Sequence, residues 1–268
     1  MISIITAIHN QINVNQLFWA SLKKYTKNPF ELIIIDNAST DGSAAFFEKV
    51  GATVIQNKAN YSYPRCQNQG INKAQYDWLV FMNNDVIVSK DWDMHIMENM
   101  QINNLEVATV CGIEHLDTKI ETQKIKRKWK RIKNILSILG KSKLVLSLMH
   151  KLMYSNWEHF TNSRYQKFQH QIVEGVVGNT VVMRRRVLDK IGLWDERIQA
   201  ADFDLYLRTK KREINYKDIK ASHICLDTFI HHYIRLTTYS NPPKFADQNN
   251  LITIDEKWGD FKNMFPKI

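Results

Sequence analysis

Short apolar runs alternate with amphipathic stretches along the first hundred residues, and this alternation constrains the fold more than any other feature. Ile2 to Ala7 is a nearly continuous apolar run, as expected for a strand buried on both faces of a sheet. The predicted strands cover 2–7, 31–36, 52–56, 78–82 and 107–113, and the predicted helices cover 13–25, 43–50 and 65–74. This order is typical of an α/β fold with a mostly parallel central sheet and flanking helices.

Three of these predicted strands run directly into polar residues. The segments are Thr6-Ala-Ile-His-Asn10, Asp36-Asn-Ala-Ser-Thr-Asp41 and Asn83-Asn-Asp85. Asn, Asp and Ser also follow strands simply to make turns, so each segment alone is weak evidence of a site. Because ligands of open α/β sheets bind outside the carboxyl ends of the strands, the three segments together predict one binding site.

Two aspartates at these strand ends have a specific chemical interpretation. The carboxylate of Asp36 can accept the imide hydrogen of uracil or thymine, although it could instead cap the next helix. Asp85 brings an oxygen ligand to the edge of the sheet, where Mg²⁺ or Mn²⁺ could bind it together with diphosphate oxygens. A turn before Val86 is the alternative for Asp85.

Five segments together resemble the family 2 glycosyltransferases of the GT-A fold, of bacterial surface-polysaccharide type. They are Ser3-Ile-Ile-Thr-Ala-Ile-His-Asn10, Glu31-Leu-Ile-Ile-Ile-Asp-Asn-Ala-Ser-Thr-Asp-Gly42, Asn60 with Asn68-Gln-Gly70, Leu79-Val-Phe-Met-Asn-Asn-Asp85, and Gly178-Asn-Thr180 with Asp202-Phe-Asp204. The resemblance covers about residues 1–113 and 173–235. It implies sugar transfer from a nucleoside diphosphate donor, with a UDP- or dTDP-sugar fitting the pocket chemistry, to a glycan or lipid-linked acceptor.

The resemblance also implies roles for individual residues. Donor-binding positions are Thr6, Ile8, Asp36, Arg65, Asn68 and Asn84. Asp85 matches the last residue of the family's DXD-type metal motif, so the expected cofactor is Mn²⁺ or Mg²⁺. His231 and His232 resemble a histidine that many members place on the metal, and neutral imidazole is a plausible ligand for Mn²⁺. The sequence does not decide which of the two points inward.

Asp202 is the expected general base of an inverting transfer. Such a reaction needs a carboxylate that removes the proton of the acceptor hydroxyl as its oxygen attacks the anomeric carbon. The family has a Glu-Asp pair here, whereas this chain has Ala201 before Asp202, which puts the positioning of the acceptor in doubt. Asp204 is expected to cap the helix or to pair with Arg208 at helical spacing.

The net charge of +10 is concentrated in one segment, since ten Lys and Arg residues and only Glu121 lie between Lys119 and Lys143. We expect one domain over 1–268 with a basic helical insertion at about 116–171. Apolar residues recur there at three- or four-residue spacing and predict an amphipathic hairpin broken near Gly140. They are Ile125, Trp129, Ile132, Leu136, Leu139, Leu144, Leu148 and Leu152. Through 119–152 the hairpin could bind an anionic membrane, pack on the body or join a homo-oligomer.

Composition and motifs exclude several other classes. Three scattered cysteines without a CxxC pair, and a start without signal-peptide features, favour a cytoplasmic protein that is at most peripheral on the inner face of the cell membrane. No nucleic-acid-binding motif accompanies the charge, so no nucleic-acid partner is expected. A nucleotidyltransferase would need a glycine-rich basic loop after the first strand, which Ala7 to Gln11 lacks. A non-catalytic subunit that binds sugar nucleotide or glycan in a polysaccharide assembly complex remains the alternative.

Overall fold

The computed structural model describes residues 1–236 and 244–266. Its strands within these ranges are β1 (Ile2–Ile8), β2 (Phe30–Asn37), β3 (Thr53–Asn57), β4 (Trp78–Met82), β5 (Val86–Ile87), β6 (Val107–Cys111), β7 (Ile172–Glu174), β8 (Thr180–Arg184), β9 (His223–Phe229) and β10 (His231–His232). The α-helices are α1 (Ile12–Tyr25), α2 (Ser43–Lys49), α3 (Tyr63–Lys73), α4 (Trp92–Ile102), α5 (Lys119–Leu136), α6 (Lys143–Tyr154), α7 (Trp157–Phe168), α8 (Leu188–Ile191), α9 (Ala201–Tyr216) and α10 (Ile254–Trp258).

One large sheet organises the described residues, with eight strands in the order β3-β2-β1-β4-β8-β6-β9-β7. Strands β1 to β4 are parallel, β6 is parallel to β9, and β8 and β7 run antiparallel to their neighbours. A separate two-stranded pairing joins β10 to β5 and brings His232 opposite Val86. The carboxyl ends of β1, β2 and β4 therefore meet at one edge of the sheet, as the sequence predicted.

Alternating side chains of the central strands enter two different apolar clusters. Ile4 and Val80 belong to the cluster on one face of the sheet, while Ile5 and Leu79 belong to the cluster on the other. Both faces are covered by helices, which explains why the strand sequences are apolar almost throughout. Helix α3 packs so closely that a Cβ added at Gly70 would lie 2.2 Å from Ile5 Cγ2. Glycine is required there by the approach of helix to strand.

The predicted strands and helices of the first 113 residues are confirmed within one or two residues at nearly every end. Beyond residue 113, β8 begins at Thr180, which pairs with Met82 at the end of β4. Residues Arg185–Val187 then form a 3₁₀ turn that leads into α8.

Helices α5, α6 and α7 follow one another where the basic helical insertion was expected. The chain reverses between α5 and α6 at Gly140, whose φ of 88° lies in the left-handed region that glycine tolerates. Nowhere in the described ranges is a helix both long and apolar enough to cross a membrane.

The predicted apolar stripe of the insertion divides into two parts. Ile125, Trp129, Ile132 and Leu136 pack against the body of the protein. Leu139, Leu144, Leu148 and Leu152 are exposed instead, because α6 turns Leu146, Met149 and Met153 toward the body. The amphipathic pattern therefore describes a packed α5 and an α6 with an uncovered apolar side.

Candidate active site

The ends of β1 and β2 form the part of the site that we call the nucleotide edge, made of Thr6, Ile8 and Asp36. Ile8 and Asp36 are direct neighbours in the parallel register. Thr6 and Asp36 are buried, and neither Thr6 Oγ1 nor Asp36 Oδ1 has a hydrogen-bond partner among the described residues. Since buried polar groups are normally paired, these two atoms are suited to hydrogen bonds from a ligand.

Arg65 lies near this edge on the first turn of α3. Its guanidinium stacks 4.0 Å from the ring centroid of Tyr61. In the parts of the chain that are described, no carboxylate forms an ion pair with it. A stacked guanidinium keeps its N–H donors available, so Arg65 can bind phosphate oxygens.

Two asparagines expected to bind the donor have other partners. Asn68 Nδ2 donates to the carbonyl of Trp194 at 2.9 Å and to Glu196, and Asn68 Oδ1 accepts from the Trp194 N–H at 3.0 Å. Both polar ends of this amide are thus occupied by the segment that leads to α9, and a donor-binding role for Asn68 stays a prediction. Asn84 Nδ2 donates to Asn15 Oδ1 at 2.7 Å and ties the loop after β4 to α1.

A charged group lies directly beyond β4. Asp85 is buried, and its Oδ1 lies 3.0 Å from Nε2 of His232. The other ring nitrogen of His232, Nδ1, is bonded to the carboxylate of Glu114. Burial alone would lower the pKa of His232, but the Asp85 and Glu114 carboxylates raise it well above its usual range. The imidazolium is therefore a cation held between two carboxylates.

The structure does not bring His231 to this group. Successive residues of a strand face opposite sides, so in β10 the His231 ring points away from the His232 ring. His231 is fully buried, and its Nδ1 is 2.9 Å from the Tyr154 hydroxyl. Burial first, and then His150 and His232, lowers the pKa of His231. His231 belongs to the core beneath the insertion, where its ring contacts Trp129 and Tyr154, and its role as a metal ligand stays a prediction.

Asp202 lines a cavity of about 370 Å³ together with Glu114, Asn83 and His232, and we call it the Asp202 cavity. Asp202 lies in the first turn of α9, where the helix dipole favours a carboxylate. Burial nevertheless raises the pKa of Asp202 above the ordinary aspartate value. A Cβ added at Gly178 would lie 2.4 Å from Asp202 Oδ2, so only glycine lets the carboxylate rest against this backbone.

Asp204 has the structural contacts that its spacing predicted. Arg208 Nε lies 2.9 Å from Asp204 Oδ2, and Lys257 Nζ lies 2.6 Å from Oδ1. The indole N–H of Trp258 donates to the same Oδ1 at 2.9 Å. Asp204 is buried and connects α9 to the C-terminal segment, so it is not available to a substrate.

Sequence reasoning missed Glu114, Asn179 and Tyr63. All three line the Asp202 cavity. Asn179 Nδ2 donates to Glu114 Oε2 at 3.3 Å, and this contact needs Gly112, where a Cβ would lie 2.4 Å from the same oxygen. Glu114 directly follows the run 107–113 that predicted a strand, so its position at a strand end was a usable signal.

Asp85 and His232 provide suitable donor atoms for a divalent cation, but the described part of the protein provides few ligands in total. The Asp85 carboxylate and His232 Nε2 lie 3.0 Å apart and, once Nε2 has lost its proton, would offer the oxygen and nitrogen donors that Mn²⁺ accepts. Within residues 1–236 and 244–266, however, no three His, Cys, Asp or Glu side chains are arranged to hold a metal ion. The remaining ligands would have to come from diphosphate and water, which is the usual arrangement for Mg²⁺.

Solved structures with the same architecture are GT-A glycosyltransferases. The mannosyltransferase PcManGT from Pyrobaculum calidifontis, in complex with GDP-Man and Mn²⁺, matches 83% of this chain and 56% of its own at 11% identity and a TM-score of 0.51. Residues 1–349 of S. aureus TarS, in complex with UDP, match 86% of this chain and 60% of their own at 15% identity and a TM-score of 0.53. The chain thus spans little more than half the length of these neighbours.

The sequence match is more specific than the structural one. The profile described as glycosyl transferase family 2 matches residues 3–192, which is well over half of the chain. The chain belongs to this family. No curated protein sequence matches it.

Proposed function

We propose that this protein is an inverting glycosyltransferase that moves a sugar from a nucleoside diphosphate donor to an acceptor hydroxyl, within one domain over 1–268. The observation that carries the proposal is the position of Asp202. Its carboxylate, with a raised pKa, lines a cavity that also contains Asn83 and His232 from the ends of β4 and β10. A general base close to the nucleotide-binding edge of the sheet is the arrangement needed to deprotonate the acceptor hydroxyl.

The nucleobase of the donor binds at the nucleotide edge. Asp36 Oδ1 accepts the imide hydrogen of uracil or thymine, the Thr6 hydroxyl takes a second polar contact, and Ile8 packs beside the base. The unpartnered state of both atoms among the described residues supports these roles. Arg65 contacts the diphosphate, and Asn84 holds the loop that carries Asp85. A UDP-sugar and a dTDP-sugar can make these contacts equally well, because both carry a pyrimidine imide and a diphosphate.

Asp85 and His232 are the residues that would hold Mn²⁺ or Mg²⁺. The cation would neutralise charge on the leaving diphosphate. The two carboxylates around His232 support this assignment, because a cation that replaced the proton on His232 Nε2 would keep one positive charge beside Asp85. The mannosyltransferase neighbour is described in complex with Mn²⁺ and GDP-Man.

Asp202 acts on the acceptor. The acceptor oxygen forms a bond to the anomeric carbon from the face opposite the diphosphate, the bond to the diphosphate breaks, and the hydroxyl proton passes to the Asp202 carboxylate. A pKa above the ordinary aspartate value makes the carboxylate a stronger base. The close packing against Gly178 restricts the carboxylate to one position.

The insertion gives this enzyme a membrane-binding surface on the inner face of the cell membrane. Four large apolar side chains surround the turn at Gly140 and form what we call the hairpin tip. Their exposed fractions are 61% for Ile135, 84% for Ile138, 66% for Leu139 and 83% for Leu144. Lys141 and Lys143 lie within the same turn. Exposed apolar residues with flanking lysines are typical of segments that bind anionic lipid surfaces, where a lipid-linked acceptor would be found.

A donor panel tests the proposed function. Purified protein is combined with Mn²⁺ and with UDP-, dTDP- or GDP-sugars, and both thermal shift and release of nucleoside diphosphate are measured. We expect stabilisation and slow hydrolysis with a pyrimidine donor. Stabilisation without any hydrolysis would favour the non-catalytic binding subunit. A lack of stabilisation by every donor would contradict both.

A further inference from the structure

A second cavity of about 480 Å³ adjoins the Asp202 cavity, and its lining is strongly basic. Lys126, Lys130, Lys133 and Arg235 line it, with Trp129 among the apolar groups. Glu114 and Ile234 line both cavities, so the two spaces are direct neighbours. We call this second space the cationic cavity.

Three positive charges of the cationic cavity are not balanced by an ion pair within the described part of the chain. Lys126, Lys130 and Arg235 form no ion pair there. Lys133 is only 7% exposed, and burial, followed by Arg235 and Lys130, lowers its pKa. Like charges held together in a partly desolvated space repel one another, and a bound anion would relieve that repulsion.

Glu114 does not neutralise this group. One of its carboxylate oxygens is bonded to His232 Nδ1, and the other accepts from Asn179 Nδ2 at 3.3 Å. Both partners lie in or beside the Asp202 cavity. Both carboxylate oxygens of Glu114 are therefore engaged on the catalytic side of the shared wall, and its one negative charge is outnumbered by Lys126, Lys130 and Arg235.

We propose that the cationic cavity binds a phosphate group of the acceptor, either a phosphodiester of a polyol phosphate or the diphosphate of a lipid carrier. This inference rests on the proposed function and specifies its acceptor. The acceptor hydroxyl lies at Asp202, and the chain of the acceptor passes over Glu114 and Ile234. Its phosphate then meets the lysines of α5, which form charge-assisted hydrogen bonds to its oxygens.

The donor diphosphate is a poorer occupant of this cavity. None of Thr6, Asp36, Arg65 and Asp85 lines it. The wall that it shares with the Asp202 cavity is formed by residues after β6 and β10, away from the ends of β1 and β2. A phosphate bound here is thus placed beside the acceptor side of the reaction.

Helix α5 itself supplies a matched control for the test. Lys126 and Lys130 face the cationic cavity, whereas Arg127 and Arg131, one position further along, do not line it. The variants K126A/K130A and R127A/R131A remove the same charge from two faces of one helix. Calorimetry on the whole chain saturated with UDP measures the binding of farnesyl diphosphate and of glycerol phosphate oligomers, with farnesol and glycerol as uncharged probes.

We expect at least one phosphate probe to bind wild type and R127A/R131A alike, and to bind K126A/K130A at least about tenfold more weakly, as loss of two charge-assisted contacts implies. Preference for one probe identifies the lipid or the polyol source. UDP affinity and donor hydrolysis should not change in either variant. Equal weakening in both variants, competition between the probe and UDP, or no binding of any phosphate probe would overturn the proposal. Wild type that binds the probe but never hydrolyses donor would refute the proposed function while keeping the anion site.

Discussion

The nucleotide edge and the Asp202 cavity are built in opposite ways. At the edge, neighbouring parallel strands end in polar groups, and Thr6 Oγ1 and Asp36 Oδ1 have no partner within the described ranges. In the cavity, Asp202, Glu114 and His232 come from three distant segments, and His232 is already bonded to two carboxylates. One region offers a ligand polar atoms without partners among the described residues, whereas in the other Glu114 and His232 are already bonded to each other.

Under the proposed roles, this difference makes donor binding and catalysis separable. A side chain at the edge can be changed without disturbing the charges of the cavity, and Asp202 can lose its charge without affecting the strand ends. Variants of the nucleotide edge should therefore change donor affinity, and variants of the Asp202 cavity should change the rate of transfer. A variant of one region that changed both quantities equally would contradict this separation.

The largest effect is expected from Asp202→Asn. Transfer should fall about a hundredfold or more, the range for loss of a general base, while donor affinity is retained. Wild-type transfer should also fall as the pH drops through the raised pKa of Asp202, because the protonated carboxyl cannot accept a proton. Turnover and calorimetric donor binding, measured on the same preparations, check this prediction.

The stability of Asp202→Asn provides an independent check. Because folding raises the pKa of Asp202, its ionised form opposes folding at neutral pH. The variant should melt at the same temperature as wild type or higher at neutral pH, and any gain should disappear below the ordinary pKa of aspartate. Asp189→Asn, in the exposed first turn of α8, is the matched control and should leave transfer unchanged. Asp204→Asn should instead lower the melting temperature, because it weakens the contacts with Arg208 and Lys257.

The next effect is expected from Asp85→Ala. Affinity for UDP in the presence of Mn²⁺ should fall by about tenfold to a hundredfold, and affinity without metal should barely change, since only the metal-dependent part is removed. Calorimetry with and without Mn²⁺ measures both. Asp77→Ala, at the opposite end of β4, is the control. Unchanged UDP affinity of Asp85→Ala in the presence of Mn²⁺ would refute the assignment of Asp85 as a metal ligand.

The same contrast explains what the sequence could predict. The elements that carry Asp36 and Asp85 were predictable because a strand and the polar residues after it are adjacent in the chain. The contacts of His232 were not predictable, since His232 lies 118 positions from Glu114 and further still from Asp85, and these residues meet only in the folded chain. The inward orientation of His231 depends on Tyr154 in the insertion. Nor could spacing reveal that Asn68 is occupied by Trp194.

The smallest effect concerns the hairpin tip, which lies outside both regions. Ile138→Ser with Leu139→Ser should weaken binding to anionic vesicles by about tenfold, because two exposed apolar side chains would no longer enter the lipid. Donor hydrolysis should not change. Ile102→Ser, at a residue 57% exposed on α4, controls for the loss of any exposed isoleucine. If the wild-type protein does not bind anionic vesicles at low salt, the hairpin tip is instead a surface for packing or for contact with a second copy of the chain.

The most direct test of the account is the anomeric configuration of the sugar released when wild-type protein hydrolyses its nucleotide-sugar donor. Water takes the place of the acceptor, so no acceptor needs to be known, and NMR spectra recorded before mutarotation identify the first anomer formed. A single base at Asp202 opposite the leaving diphosphate predicts the inverted anomer. Release of the retained anomer would contradict the proposed mechanism.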